Sequence, residues 1–289
     1  MVALAPGTPA LSLRILHVAD TLPGPDSGAA GTDYQGVKAL RRAGHEVVEV
    51  WGDQLSRRIK HYNLRYLLEL PLSIRTVVTR HLAGRSFDVV QISQPYGHLA
   101  AKWIAAQCPQ TVCIHRSHGF ESRVRHELSQ WRMRYPQPKA KHLELASAVM
   151  ARLLEHNYRS ISRHATGHLF SARQCADYMQ RVYRVASERC AVIPQAVSSA
   201  YLSKQRVADI ERLGRVLYVG QNTFFKAPMI LGAAISELLV RFPSISFTWV
   251  CAAADHSRAL AHFIPEVRNR VNLLDWMPQD KLVDVYDRH

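Results

Sequence analysis

At 289 residues, 47% of them hydrophobic, the chain has the length and apolar content for two globular domains, each with its own core. A formal net charge of +14 and a pI near 9.9 favour anionic partners, whether nucleotide phosphates, lipid head groups or nucleic acid, without choosing among them. Five scattered cysteines with no Cys-x-x-Cys pair speak against a disulfide framework or a zinc site and for a reducing compartment, and no uncharged apolar run approaches the roughly 20 residues that span a bilayer.

Residues 1–12 lack the basic start and sustained apolar core of a secretory signal and read as a disordered leader. Leu13 to Ala19 is the first strand. A Gly/Pro-rich loop, Thr21 to Thr32, leads into a helical pattern through Ala43, and Arg-Ala-Gly-His turns directly into a strand from Glu46 to Trp51. A strand, loop, helix, turn and strand in that order is the unit from which parallel sheets are built. A basic helical region follows from Gln54 to Ala83, interrupted at Pro71. Further strands are expected at Phe87 to Ile92, Thr111 to His115, His168 to Ser171 and Cys190 to Ile193, with helices at Tyr96 to Gln107 and across Glu121 to Ser162, broken at Pro136 and Pro138. These elements form one domain over residues 13–196, and residues 197–213 read as a linker. A second unit, 214–289, has strands at Arg215 to Val219, Ser246 to Cys251 and Val271 to Leu274. Its helices lie near Pro228 to Arg241, at Ser257 to Phe263 and from about Gln279. Three strand-like runs are about half the complement of a full doubly wound domain.

The most informative stretch is GRVLYVGQNTFFKAPMIL, Gly214 to Leu231. An apolar strand breaks at Gly220 into a polar loop through Gln221 that carries Lys226 just ahead of a helix, so that backbone N–H groups and one cation converge where a phosphate would sit. In the first domain, Gly28 and Gly31 lie in the loop after the first strand and permit close backbone approach to a ligand, or serve only as a flexible turn. His118 follows the strand Thr111 to His115 at its carboxyl end, the place where open α/β sheets gather ligand groups, and its imidazole can donate or accept. Arg116, Gly119 and Glu121 flank it as supporting positions, or as a solvated cation and a helix-capping carboxylate. The region Arg57 to Arg85 holds seven Lys/Arg against one Glu among exposed-type leucines and tyrosines. It reads as a core-facing helix with a solvated basic back in preference to a segment lying on an anionic membrane.

Taken in order, SGAAGTDYQGVKALRRAGHEV, FDVVQISQPYG, HRSHGFE, ATGHLFSARQCADYM, CAVIPQAV, VLYVGQNTFFKAP and VNLLDWMPQDKLVDVY resemble the nucleotide-sugar-dependent glycosyltransferases of family 4. The resemblance runs from about Leu13 to the end. It implies an α/β chain of the GT-B kind, two Rossmann-like parallel-sheet domains of which the second is incomplete. The first would bind a glycan, glycolipid or small-molecule acceptor and the second the nucleotide-sugar donor. The implied activity is retaining transfer of a hexosyl group to a hydroxyl, with the donor as substrate and neither cofactor nor metal. By the resemblance His118 touches the donor sugar, Lys226 takes the place of the second phosphate-binding cation, and Gly28 and Gly31 lie over the cleft. Two departures stand out. Gln221 occupies the position where the family has an arginine, and Ala227 the position of a glycine. The family's paired-glutamate segment, which holds the donor ribose and sugar, has no counterpart up to His289, so the chain reads as truncated within the donor domain and without those contacts for activity. The implied setting is the cytoplasm, or the inner membrane surface. A reading of a different class is a non-catalytic basic protein that binds anionic membrane or nucleic acid. Nucleic acid is disfavoured, since no aromatic stacking platform or recognised module appears.

Overall fold

The computed structural model describes residues 12–26, 28–119, 121–134, 141–195, 199–202 and 214–289. The leader up to residue 11 and most of the linker lie outside the described residues. By its contacts the chain divides into two compact units, Met1–Ala196 and Val197–His289.

The first unit is a parallel sheet with helices on both faces. In chain order its elements are β1 (Arg14–Val18), α1 (Gly28–Arg42), β2 (Glu46–Val50), α2 (Tyr62–Leu64), a π-helical turn (Arg65–Glu69), α3 (Leu70–Gly84), β3 (Val89–Ser93), α4 (His98–Gln107), β4 (Val112–Ser117), α5 (Glu121–Arg134), α6 (Lys141–His164), β5 (Gly167–Phe170), α7 (Arg173–Tyr183) and β6 (Cys190–Val192). The strands stand in the order β2-β1-β3-β4-β5-β6, all parallel. The order reverses between β1 and β3, and such a switch point opens a crevice at the carboxyl ends of the strands.

Alternation along β1 shows how the layers form. Leu16 and Val18 face a core completed by Ile74 and Val78 of α3 and by Ala100, Ala101 and Ile104 of α4. Ile15 and Ala19 face the other way, against Val37 of α1 and Trp51. Both faces of the strand are covered, as a sheet of parallel crossovers requires. Burial of the Ile74 side chain, 1% exposed, removes enough apolar surface to contribute about 2 kcal/mol.

Three departures from the sequence reading have physical causes. The helix expected from Gln54 starts only at Tyr62, because Glu69 accepts hydrogen bonds from the Arg58 and Ile59 backbone N–H groups and from Ser56 Oγ, holding that stretch as a loop. Pro71 does not interrupt the helix. It lies in the first turn of α3, directly after the π-helical turn, whose wider spacing pairs Leu70 N–H with Arg65 O and removes the tight turn that a proline ring would strike. Helix α7 was not anticipated from the sequence, although Ala176 and Met179 supply a buried stripe at helical spacing.

Cross-strand partners in this sheet include polar pairs. His17 of β1 stands beside Gln91 of β3, and His115 of β4 beside His168 of β5. The ring nitrogens Nδ1 of His115 and His168 lie 3.1 Å apart, so one donates and the other accepts, which requires both rings to be neutral on average. Burial is the main cause that lowers both pKa values, His168 to about 4 and His115 well below its ordinary 6.5. His98, 5% exposed at the start of α4, is lowered to about 4 by burial and by neighbouring His156.

The second unit has a three-stranded parallel sheet in the order β7-β8-β9. Its elements are α8 (Ser199–Leu202), β7 (Arg215–Val219), α9 (Pro228–Arg241), β8 (Ser246–Cys251), α10 (His256–Leu260), β9 (Val271–Asp275) and α11 (Gln279–Asp287). Phe247 and Trp249 of β8 are fully buried against Leu239 of α9 and Phe263. Trp249 Nε1 donates to Gly220 O at 2.8 Å, so the bulky indole is buried without leaving its N–H unpaired.

Candidate functional site

The crevice at the β1/β3 switch point is built around a carboxylate that sequence reading passed over. Asp33 is 1% exposed on the inner face of α1, where Ala30 and Val37 make the rest of the buried stripe. His118 Nε2 lies 2.8 Å from Asp33 Oδ2, and Ser93 Oγ, at the end of β3, donates to the same oxygen at 2.9 Å. Arg116 Nε stands 3.7 Å and His17 Nε2 4.0 Å from Oδ1. Gly36 lets Arg116 lie against α1, since a Cβ there would sit 3.2 Å from the guanidinium Nη1.

Charge and tautomers follow from these partners. Burial pushes the Asp33 carboxyl up, but the His118 hydrogen bond, His17 and Arg116 outweigh it and hold the pKa below the ordinary value. Ionised, Asp33 can only accept, so His118 carries its proton on Nε2 and leaves the Nδ1 lone pair for another partner. Gln91 Nε2 donates to His17 Nδ1 at 3.1 Å, which puts the His17 proton on Nε2, toward Asp33 Oδ1. Asp20, just beyond β1, is 8% exposed and has its pKa raised by burial, with Tyr66 beside it.

The backbone next to this cluster is strained. Gln94, directly after Ser93, sits at φ 68° and ψ 165° although it precedes a proline, a conformation that only glycine adopts freely. It costs of the order of 1–3 kcal/mol, and residues held this way concentrate at ligand sites. A cleft with about 260 Å³ of empty space opens beside the cluster, lined by Thr32, Arg116, Ser117 and His118 on one side and by Phe170, Ser171 and Gln195 on the other. That is just under the smallest common small-molecule sites, room for one sugar-sized group.

Of the positions expected from sequence, His118 and Arg116 are thus brought together. Gly119 is exposed beside them, and a Cβ there would meet nothing within 4 Å. Glu121 opens α5, and its side chain lies outside the described residues. Gly28 and Gly31 require correction. They belong to helix α1 instead of a loop, because burial of Ala30, Asp33 and Val37 on one face overrides the weak helix propensity of glycine. Gly31 is required there by packing, since a Cβ would come within 2.6 Å of Pro25 O.

In the second unit, Lys226 is exposed at the end of a 3₁₀ turn (Phe224–Lys226), immediately before α9. Its charge and the positive end of that 14-residue helix point to one locality, as anion binding requires. Gln221 is exposed, and its carbonyl accepts from Thr223 N–H. Gly220 departs from expectation. Its N–H is taken by Val250 O at 3.1 Å and its carbonyl by Trp249, so its backbone groups hold the unit together and do not face a phosphate. Glycine is needed there because a Cβ would meet the Tyr218 ring at 2.7 Å.

Ala227, between Lys226 and α9, has φ 50° and ψ 49°, the left-handed region where a Cβ is penalised by about 1–2 kcal/mol. Ala227→Gly is therefore expected to stabilise the second unit by about 1 kcal/mol and raise its melting temperature by about 4–8 °C, measured by calorimetry. An unchanged or lower melting temperature would contradict that backbone geometry. Among the described residues no three His, Cys, Asp or Glu side chains gather as a metal site, and all five cysteines are free. Nor is any described helix long and apolar enough to cross a membrane.

No protein-family model matches the chain, and no curated protein matches it. Solved structures do. Sucrose-phosphate synthase from Thermosynechococcus elongatus is similar with a TM-score of 0.67 at 14% identity, over 96% of this chain and 73% of that one. The catalytic domain of starch synthase IV from Arabidopsis thaliana, bound to ADP and acarbose, gives 0.62 at 10% identity, over 96% and 76%. The UDP-GlcNAc 2-epimerase from Neisseria meningitidis, bound to UDP-GlcNAc, gives 0.52 at 13% identity, over 94% and 75%. At such identities the likeness establishes the fold: an α/β chain of the GT-B type with two Rossmann-like parallel-sheet units.

Proposed function

We propose that this protein transfers a sugar from a nucleotide-diphosphate sugar to a hydroxyl of a glycan, glycolipid or small molecule, with retention as its resemblance to family 4 implies. The observation that carries the reading is the buried Asp33–His118 pair at the switch point, 2.8 Å apart, at the mouth of a cleft sized for one sugar. Solved structures of the same fold that hold ADP or UDP-GlcNAc support a nucleotide-sugar donor.

In the transfer, the bond from the anomeric carbon to the diphosphate breaks, the diphosphate leaves with the electron pair, and the acceptor oxygen forms the new bond as it loses its proton. The Nδ1 lone pair of His118 accepts a hydrogen bond from a sugar or acceptor hydroxyl, and Asp33 and Ser93 keep the ring in place. Lys226 and the start of α9 stabilise the departing diphosphate, where negative charge accumulates. Free cysteines and the lack of a membrane-crossing helix among the described residues fit a cytoplasmic setting.

Thermal denaturation with UDP, ADP and GDP tests the donor site. At least one should raise the melting temperature of the second unit by several degrees, as about 2.7 kcal/mol of stabilisation at a hundredfold excess over Kd requires. Lys226→Ala should weaken that binding about tenfold or more, by loss of a charge-assisted bond of about 1.5–3 kcal/mol. Absence of any shift, together with salt-dependent binding of random DNA, would favour the non-catalytic basic protein instead.

A further inference from the structure

Tyr62, Leu64, Leu68 and Leu72 are all exposed, at 69, 40, 46 and 56%, along the continuous helical run from α2 through the π-helical turn into α3. The same run buries Leu70, Ile74 and Val78, so its core-facing side is satisfied and the leucine stripe is a second apolar face. Cations bracket the stripe. Arg57, Arg58 and Lys60 are exposed before it, and Arg75 and Arg80 continue along the helix after it. The segment's one carboxylate, Glu69, is engaged by Ser56 and by the Arg58 and Ile59 N–H groups, so it neutralises none of these cations.

We propose that this face docks on an anionic lipid bilayer, with Leu64, Leu68 and Leu72 entering the headgroup boundary and the flanking Arg and Lys side chains reaching lipid phosphates. An apolar stripe between cationic ends is the pattern of a helix lying in a membrane interface. Charge complementarity selects this occupant. A second copy seated face to face would set cations against cations, and nucleic acid would gain nothing from three leucines. The surface also bears on the proposed site. Tyr66, in the π-helical turn, stands beside Asp20 at the end of β1, so a bilayer under the stripe lies about one helix diameter, roughly 10 Å, from the strand ends that hold the crevice. Docking itself does not depend on sugar transfer.

The test is co-sedimentation of the full chain with vesicles of phosphatidylglycerol and phosphatidylcholine, against vesicles of phosphatidylcholine alone. Binding is expected only to the anionic vesicles and to weaken with salt. The triple variant Leu64→Ser, Leu68→Ser, Leu72→Ser should lose about tenfold in affinity with an unchanged melting temperature, since these side chains are already exposed. The charge variant Arg57→Ser, Arg58→Ser, Lys60→Ser should lose binding together with most of its salt dependence. Equal binding to both vesicle types, no binding, or full binding by the leucine variant would overturn the proposal. So would a dimer in sedimentation velocity that the leucine variant converts to monomer.

Discussion

Acidification from neutral pH to about 5 is expected to remove about 4 kcal/mol from the stability of the first unit, a large part of what a domain of this size possesses. His98 and His168 have folded pKa values of about 4 against 6.5 when unfolded. Between those values the unfolded chain binds protons that the folded chain does not, so stability is full above 6.5 and falls by about 1.4 kcal/mol per pH unit for each histidine as pH drops toward 4. Buried His115 adds in the same direction. Asp20 opposes, because burial raises its carboxyl and protonation relieves it, but it is one group against three. Urea titrations across this range, read by peptide-resolved hydrogen exchange, would follow the two units separately. His168→Gln should flatten the slope for the first unit by about a third to a half. A first unit whose stability stays constant from 6.5 to about 4.5 would refute the neutral, buried state of these rings.

Replacing Asp33 by alanine is expected to destabilise the first unit by about 3–5 kcal/mol, the range seen when one member of a buried ionic group is removed and its partners remain. His118 and Ser93 would lose their acceptor, and Arg116 its nearest carboxylate. Asp33→Asn, which keeps an acceptor oxygen but not the charge, should be milder, by about half. The carboxylate also sets a lower acid limit. Its folded pKa is depressed, so its contribution is present above the unfolded value near 3.8 and disappears as pH falls through the folded one, below the histidine window. Denaturation midpoints of the variants decide the matter, with nitrogen chemical shifts of His118 as a second readout: the proton should stay on Nε2 in the native protein and be freed to exchange between nitrogens in Asp33→Ala. A loss below about 1 kcal/mol would mean that Asp33 is not the anchor of the cluster.

All nine strands were legible in the sequence, because strands of a covered parallel sheet are short apolar runs and the turns between them are marked by Gly, Pro and charged residues. His118 was legible by position alone, at the end of such a run. Asp33 was not. A single carboxylate within the stripe of α1 looks like a break in that stripe, and the histidine that explains it lies 85 residues further on. Gly28 and Gly31 misled because GAAG composition signals a loop, while the decision belongs to the burial of Ala30 and Val37. Ala227 was readable as a departure from a glycine, and its positive φ gives the reason. The engagement of Gly220 by Val250 and Trp249 had no local sign, since both partners come from a neighbouring strand.

The wide turn at Arg65–Glu69 amounts to one residue more than an ordinary helical turn holds. An extra residue rotates everything on its amino-terminal side by about 100° relative to the rest of the rod. Insertion of that single amino acid thereby lets one helix present oily residues outward at Leu64 and Leu72 while turning Tyr66 toward Asp20. Were the chain one residue shorter there, a straight helix could point one of these groups in its present direction but not both.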